Sequence, residues 1–123
     1  MIIAGFGFRT AATAASLGDA LAQAAGTHRV DALAAPADKI GADCLKSLAQ
    51  SLFLPVFAVT ADALQGADTP TRSAISLTRR QTGSVAEAAA LAAAGPGARL
   101  IAPRRISADR MATAALAQNG DPA

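Results

Sequence analysis

Four short segments contain residue types that could bind an anionic ligand. The first is Gly5-Phe6-Gly7-Phe8-Arg9, in which the two glycines would let the backbone approach a ligand and Arg9 would present a planar guanidinium group to a carboxylate. This segment is not a dinucleotide-binding fingerprint, because Thr10 occupies the third glycine position of G-x-G-x-x-G. Two glycines selected only for tight packing explain the segment equally well, so both interpretations stay open.

The second and third segments are basic. Lys39 follows Asp38 and could bind an anion, although a solvated lysine paired with Asp38 or Asp43 is an equally good interpretation. Arg104 and Arg105 are adjacent, and two neighbouring guanidinium groups suit a ligand with several carboxylates. A solvated basic loop is the alternative for this pair.

The fourth segment, residues 82–87, has the pattern of a helix N-terminal capping box. The Ser84 hydroxyl would accept a hydrogen bond from the third helical N–H, and the Glu87 carboxylate would accept one from the N–H of Ser84. The free amides beside Gly83 and Ser84 could also hold an anion. For Glu87 we expect a structural role in preference to a catalytic one.

Residues that usually form catalytic or metal centres are scarce. His28 is the single histidine and falls in a predicted turn before the second strand, at the opposite edge from the basic segments. Cys44 is the single cysteine, which excludes an internal disulfide and a cysteine-based zinc site, and it is expected to pack near a helix start. We therefore predict no metal site and no cofactor, and we assign no catalytic residue.

Short apolar runs that alternate with helical patterns position these segments. Leu17 and Leu21 lie on the apolar face of a predicted helix, which Thr13 would cap and Gly26 would end. Strands are predicted at residues 1–6, 30–35, 56–59 and 99–102, and further helices at residues 45–52, 73–80 and 84–94. A single turn is predicted at residues 60–64, and loops at residues 7–12 and 66–71. The pattern of residues 111–118 fits either a helix or a strand.

This alternation predicts a single compact α/β domain over residues 1–118, with residues 119–123 as a flexible tail. The expected architecture has three layers, α/β/α: a mixed, mostly parallel sheet of about five strands with helices on both faces. Ligands of such sheets bind at the carboxyl ends of the strands. We therefore predict that Arg9, Lys39 and Arg104 line one pocket at that edge.

The composition narrows the class of partner. The 123 residues include 35 Ala, four Phe and neither Trp nor Tyr, which favours closely packed helices and disfavours an aromatic platform for nucleic acid. The formal charge of +2 is a mild excess that suits an anionic small molecule at least as well as nucleic acid. No apolar run reaches the roughly 18 residues of a membrane span, and no secretory signal is visible, so we expect a cytoplasmic protein with no membrane partner.

The ordered set of motifs resembles one family, formed by CobE, a small stand-alone cobalamin biosynthesis protein, and the C-terminal domain of CbiG, the cobalt-precorrin-5A hydrolase. The resemblance spans nearly the whole chain. It rests on Gly5-Phe6-Gly7-Phe8-Arg9, on Lys39 through Leu45 and Leu48 to Leu54-Pro55, on residues 82–91, on Leu100-Ile101-Ala102-Pro103-Arg104 and on residues 111–117. The resemblance implies a compact α/β domain in which residues 111–118 form a strand.

The resemblance also implies a role in assembling the corrin ring of cobalamin. Corrinoid intermediates bear many acetate and propionate carboxylates, which arginines at the strand ends would attract. A protein that binds a corrinoid or precorrin intermediate as an accessory or carrier is the first hypothesis. A corrin-modifying enzyme similar to a ring-A lactone hydrolase is the second, and a module that docks on another enzyme of the pathway is the third.

Overall fold

The computed structural model describes residues 1–60, 62–63, 85–95 and 97–119. Within these ranges the chain forms five strands and three helices of regular length. The strands are β1 (Ile2–Phe8), β2 (Ala32–Pro36), β3 (Val56–Val59), β4 (Arg99–Ile106) and β5 (Ala112–Gln118), and the helices are α1 (Ala14–Ala25), α2 (Asp43–Leu52) and α3 (Val85–Ala94). The predicted turn at residues 60–64 is represented by residues 62–63, where the Ala63 N–H donates to Thr60 Oγ1 at 3.2 Å.

The five strands form one mixed sheet in the order β3-β2-β1-β5-β4. β1 pairs in parallel with β2, β2 pairs in parallel with β3, and β5 runs antiparallel to both β1 and β4. Four strands therefore point the same way, and their carboxyl ends lie at one edge together with the start of β5. We call this edge, which runs through Phe8, Pro36, Val59, Ile106 and Ala112, the carboxyl edge.

Helices cover both faces of the sheet, which confirms the predicted three-layer α/β/α architecture. α1 and α2 pack on one face, where Phe6, Leu17 and Leu45 belong to the larger buried cluster. α3 packs on the other face, where Ala88 and Ala89 lie against Ile3. The alanine-rich composition fits this second layer because small side chains allow a helix to lie close to a sheet.

Gly5 lies inside β1, directly beneath α3. A Cβ atom at this position would lie 2.1 Å from the carbonyl oxygen of Ala86 and 2.5 Å from the amide nitrogen of Ala90. The prediction that β1 ends at residue 6 was wrong: the strand continues through Gly7 to Phe8. A glycine in a strand often marks a site where another backbone approaches closely, and here that backbone belongs to α3.

β4 is also longer than the sequence pattern predicted. It continues past Pro103 to Ile106, with register shifts between Leu100 and Ala102 and between Ala102 and Arg105. β4 is an edge strand, where a proline and a bulge are both tolerated because the outer side of the strand needs no ladder partner. Arg104 and Arg105 therefore lie within the strand near its end, and not in a loop that follows it.

The predicted cap of the first helix is confirmed. Thr13 Oγ1 accepts the N–H of Ser16, Ser16 Oγ accepts the N–H of Thr13, and Gly26 ends α1 with φ of 56°. The strand that the family resemblance implied for residues 111–118 is confirmed as β5, which pairs along the whole length of β1.

Some predictions fall wholly or partly on residues outside those described. These include the loop at residues 66–71, the helix at residues 73–80, residues 61 and 64 of the predicted turn, Ser84 of the predicted helix at residues 84–94 and residues 120–123 of the predicted tail. Asn119, the first residue of that tail, donates its N–H to the Met1 carbonyl at 3.2 Å and so continues the pairing beyond β5. In the described part of the chain no helix is long and apolar enough to cross a membrane.

Candidate functional site

The carboxyl edge brings several of the predicted binding residues together. Arg9 follows β1, and its N–H donates to the Met111 carbonyl at 2.9 Å, next to the start of β5. Lys39 follows β2, where a turn closes with its N–H donating to the Pro36 carbonyl at 2.8 Å. β1 and β2 are neighbours, so these two cations emerge from adjacent strands at the same edge. Arg9 is exposed and Lys39 is half-buried.

An aromatic ring lies beside these cations. The Lys39 ammonium lies over the Phe8 ring, 5.4 Å from its centroid, a geometry in which the cation is attracted to the ring face. Phe8 is half-buried and packs against the cluster beneath α1 and α2. The edge therefore offers an apolar surface next to positive charge.

The two arginines of β4 have different surroundings. Arg105 is exposed and pairs with Ala114, which pairs in turn with Phe6, so its side chain belongs to the α1 face of the sheet. β4 is two strands away from β1, which places the backbone of Arg105 roughly 10 Å from that of β1. Arg104 is half-buried and belongs to the bulge between Ala102 and Arg105.

Arg104 is tied to α3 through its backbone. Its N–H donates to Oε2 of Glu87 at 3.0 Å, and Glu87 is fully buried. A bulge leaves its extra residue without a ladder partner, and the Glu87 carboxylate accepts the N–H that the bulge releases. Glu87 thus has a structural function of a kind that the capping-box motif did not predict.

The predicted capping box lies outside the described residues, which do not include Gly83 and Ser84.

The two glycines of β1 that were predicted to bind a ligand lie within the described residues. Gly5 is covered by α3, and packing alone accounts for it. Gly7 lies nearer the carboxyl edge, where a Cβ would meet Thr113 Oγ1 at 3.0 Å and Val85 Cβ at 3.4 Å.

The sequence pattern does not predict the polar network in the loop between β4 and β5. Asp109 Oδ2 accepts the Ser16 hydroxyl at 2.6 Å, and Asp109 Oδ1 accepts the Ser107 hydroxyl at 2.5 Å and the Met111 N–H at 3.1 Å. The hydrogen bond from Ser107, with smaller contributions from Ser16 and Met111, holds the pKa of Asp109 below its ordinary value of 3.8. The network fixes the β4–β5 loop to the first turns of α1.

A second contact attaches the same loop to α1. The Ala108 N–H donates to Asp19 Oδ2 at 2.6 Å. Ser16 and Asp109 are 93 positions apart, and no local sequence signal links them. Because the loop lies at the carboxyl edge, its attachment to α1 sets the shape of that edge beside Arg9.

The single histidine lies away from the carboxyl edge, and the single cysteine packs near a helix start as expected. His28 is exposed in the turn between α1 and β2, at the amino ends of the parallel strands. Cys44 is half-buried near the start of α2 and packs against the larger apolar cluster. Among the described residues, no group of three or more His, Cys, Asp or Glu side chains is arranged to hold a metal ion.

A sheet of five strands with helices on both faces is also the fold of solved cobalamin biosynthesis proteins. The model of the family described as "Cobalamin synthesis G C-terminus" matches residues 2–117, and the chain belongs to that family. It is therefore a protein of the cobalamin biosynthetic pathway.

Solved structures of two cobalamin biosynthesis proteins are similar to this chain over most of their length. CobE, a protein from the cobalamin (vitamin B12) biosynthetic pathway, is 34% identical with a TM-score of 0.83, over 95% of this chain and 89% of CobE. The cobalamin biosynthesis protein chiG from Agrobacterium tumefaciens strain C58 is 34% identical with a TM-score of 0.72, over 98% of this chain and all of that one (100%).

A longer protein contains the same fold. A cobalamin biosynthesis protein G homolog from Sulfolobus solfataricus is 22% identical with a TM-score of 0.69, and the match covers 96% of this chain but 36% of that protein. At this identity the likeness concerns the fold alone. A comparison with curated protein sequences gave no significant match.

Proposed function

We propose that this protein binds a corrinoid or precorrin intermediate with several carboxylates, as an accessory or carrier protein of cobalamin biosynthesis in the cytoplasm. The observation that supports this proposal is the placement of Arg9, Lys39 and Arg105 along one edge, with the Lys39 ammonium over the Phe8 ring. The family of the chain supplies the pathway, and the chemistry of the edge suggests the ligand.

The chemistry of a corrinoid matches the two kinds of surface at this edge. Its macrocycle presents an extended apolar face, and its acetate and propionate side chains end in carboxylates around the rim. The exposed part of the Phe8 ring would contact the macrocycle, and the cations would bind the rim. A planar guanidinium can bind a carboxylate through two parallel hydrogen bonds, which favours Arg9 and Arg105 as rim contacts.

Binding without chemistry is favoured by the positions of two of the candidate acid–base groups. Glu87, a buried carboxylic acid of α3, accepts the Arg104 N–H and lies beneath β4. His28, the single histidine, is at the opposite edge of the sheet. Neither group is placed to transfer a proton to a ligand at the carboxyl edge.

An absorption titration tests this proposal directly. Cobyrinic acid, whose side chains end in free carboxylates, absorbs visible light, and the chain has no Trp or Tyr. We expect a saturable spectral change with one ligand per chain and an affinity that falls as salt is raised. The methyl ester of the same corrinoid, which has no carboxylate charge, is the matched control and should bind much more weakly.

Two other results would contradict this proposal. Equal binding of the acid and the ester would mean that the cations of the carboxyl edge do not recognise the ligand. No binding of either form, together with retention on an immobilised enzyme of the same pathway, would instead indicate a protein-interaction module.

A further inference from the structure

The backbone of the β4–β5 loop is unusual at Arg110. Arg110 has φ of 62°, in the left-handed region that favours glycine. Its N–H donates to the Ser107 carbonyl at 2.9 Å, so the loop consists of a turn followed by a residue in the left-handed conformation. Glycine is the usual residue at such a position in a hairpin loop, and an arginine there is strained.

Arg110 lies at the carboxyl edge. It precedes Met111, whose carbonyl accepts the N–H of Arg9 at 2.9 Å, and the next residue, Ala112, pairs with Phe8. The side chain of Arg110 is exposed, as is that of Arg9. The backbone of a second arginine therefore lies beside the end of β1, at a position that the sequence pattern did not single out.

The residues around Arg110 are held firmly, whereas its own side chain makes no hydrogen bond or ion pair within the described part of the chain. Asp109 binds Ser16 of α1 and Ser107 through its two carboxylate oxygens, and the N–H of Ala108 binds Asp19 of α1. The carboxylate next to Arg110 in the chain is thus directed at hydroxyl groups and the Met111 N–H. The loop is anchored, and Arg110 extends from it.

We infer that Arg110 binds a carboxylate of the ligand, together with Arg9, and that the Asp109 network positions it to do so. This inference rests on the proposed function. An arginine kept in a strained conformation at an anion-binding edge is explained when its guanidinium contacts the ligand, whereas a loop selected for stability alone would have glycine here.

Replacement of Arg110 by glycine tests whether the arginine is there to bind the ligand or to stabilise the loop. Arg110→Gly removes the guanidinium and relieves the backbone, so we expect the midpoint of thermal unfolding to stay or rise while the affinity for cobyrinic acid falls roughly tenfold or more. Arg110→Lys keeps a cation and should keep more of the affinity than Arg110→Gly. Arg29→Gln, which removes an exposed cation near the opposite edge, is the control and should bind as the wild type does.

The titration distinguishes failure of this inference from failure of the proposed function. A wild-type protein that binds cobyrinic acid and an Arg110→Gly protein that binds it equally well would overturn the role of Arg110 and leave the proposed function standing. A wild-type protein that does not bind cobyrinic acid would overturn both. Equal losses of affinity in Arg110→Gly and Arg29→Gln would also refute the role of Arg110, because the effect would then reflect only net charge.

Discussion

Oε2 of Glu87 accepts the backbone N–H of Arg104 at 3.0 Å, and this hydrogen bond joins α3 to the bulge of β4. The carboxyl group is fully buried, between a helix composed mainly of alanine and an edge strand that contains Pro103. The contact explains why an acid is placed in an otherwise apolar helix face: it satisfies an amide that the bulge leaves outside the ladder.

Glu87 variants should therefore change stability according to whether they retain an acceptor. Glu87→Ala leaves the Arg104 N–H without this partner and should lower the free energy of unfolding by about 2–3 kcal/mol. Glu87→Gln keeps an oxygen at a similar position and should lower it by less than about 1 kcal/mol. Urea denaturation measures both, and an equal loss for the two variants would show that the charge, and not the acceptor, is what matters.

The two glycines at positions 5 and 18 should respond oppositely to alanine. Gly5→Ala forces a Cβ into the backbone of α3 at Ala86 and Ala90, and should destabilise the protein by about 3 kcal/mol or more. Gly18 lies within α1, and its Cβ would meet only Leu48 Cδ1 at 3.8 Å, so Gly18→Ala should stabilise by about 0.5–1 kcal/mol. Thermal unfolding of the pair checks this, and a tolerated Gly5→Ala would mean that α3 is free to move away from the sheet.

Asp109 should make stability depend on pH in the acid range. Its pKa in the folded protein is held below 3.8, chiefly by the Ser107 hydroxyl and then by Ser16. A depressed pKa adds stability that is fully present above the unfolded value and is lost as pH falls through the folded value. Asp109→Asn should thus be less stable than the wild type at neutral pH, and the difference should shrink as pH falls below about 4.

Unfolding free energies measured at pH 7, 5, 4 and 3, values chosen to lie on both sides of the ordinary carboxyl pKa of roughly 4, would show this convergence. Ser16→Ala removes one of the two hydroxyl donors and also the acceptor of the Thr13 N–H, so only the pH-dependent part of its loss of stability should have the same sign and be smaller. A gap between wild type and Asp109→Asn that stays constant over this range would contradict the role of ionised Asp109.

Arg9 should contribute directly to ligand affinity. Arg9→Ala removes an exposed guanidinium from the carboxyl edge and should weaken cobyrinic acid binding by roughly 1.5–3 kcal/mol if the carboxylate contact is desolvated on binding. The effect should diminish in high salt, where the wild type also binds less tightly. An Arg9→Ala protein with wild-type affinity at low salt would exclude Arg9 from the site.

The 123-residue chain by itself should not hydrolyse a ring-A lactone. Glu87 is engaged beneath β4 and His28 lies at the far edge, so Lys39 is the one described basic side chain beside Phe8 that could act on a bound lactone. Incubation with the lactone-bearing intermediate, followed by an assay for released aldehyde, should give no turnover. Several turnovers that Lys39→Met abolishes would establish an enzyme in place of a carrier.

Local sequence patterns predicted the elements whose signals are local. Thr13 and Gly26 bracket α1 as expected, and β3 occupies residues 56–59 as the run after Pro55 predicts. The cationic edge could also be anticipated, because parallel strands place their carboxyl ends together and Arg9 and Lys39 each follow such a strand.

The features that sequence patterns missed depend on distant partners. The local patterns predict strand ends at Gly7 and Pro103, yet β1 pairs with β5 beyond Gly7, and β4 tolerates Pro103 because it is an edge strand. The strand at residues 112–118 has alanine-rich propensity, and pairing on both of its sides overrides that preference. The hydrogen bond between Ser16 and Asp109 joins the first turn of α1 to the β4–β5 loop, two segments that only the folded sheet brings together.

Amide chemical-shift mapping tests most directly whether the carboxyl edge binds a corrinoid. A chain of 12.2 kDa is small enough for assigned ¹⁵N spectra, which can be recorded with and without cobyrinic acid. The largest shifts are expected at Phe8, Arg9, Lys39 and Met111, with His28 at the opposite edge unchanged. Shifts centred on His28, or no shifts at saturating ligand, would contradict the binding site proposed for this protein.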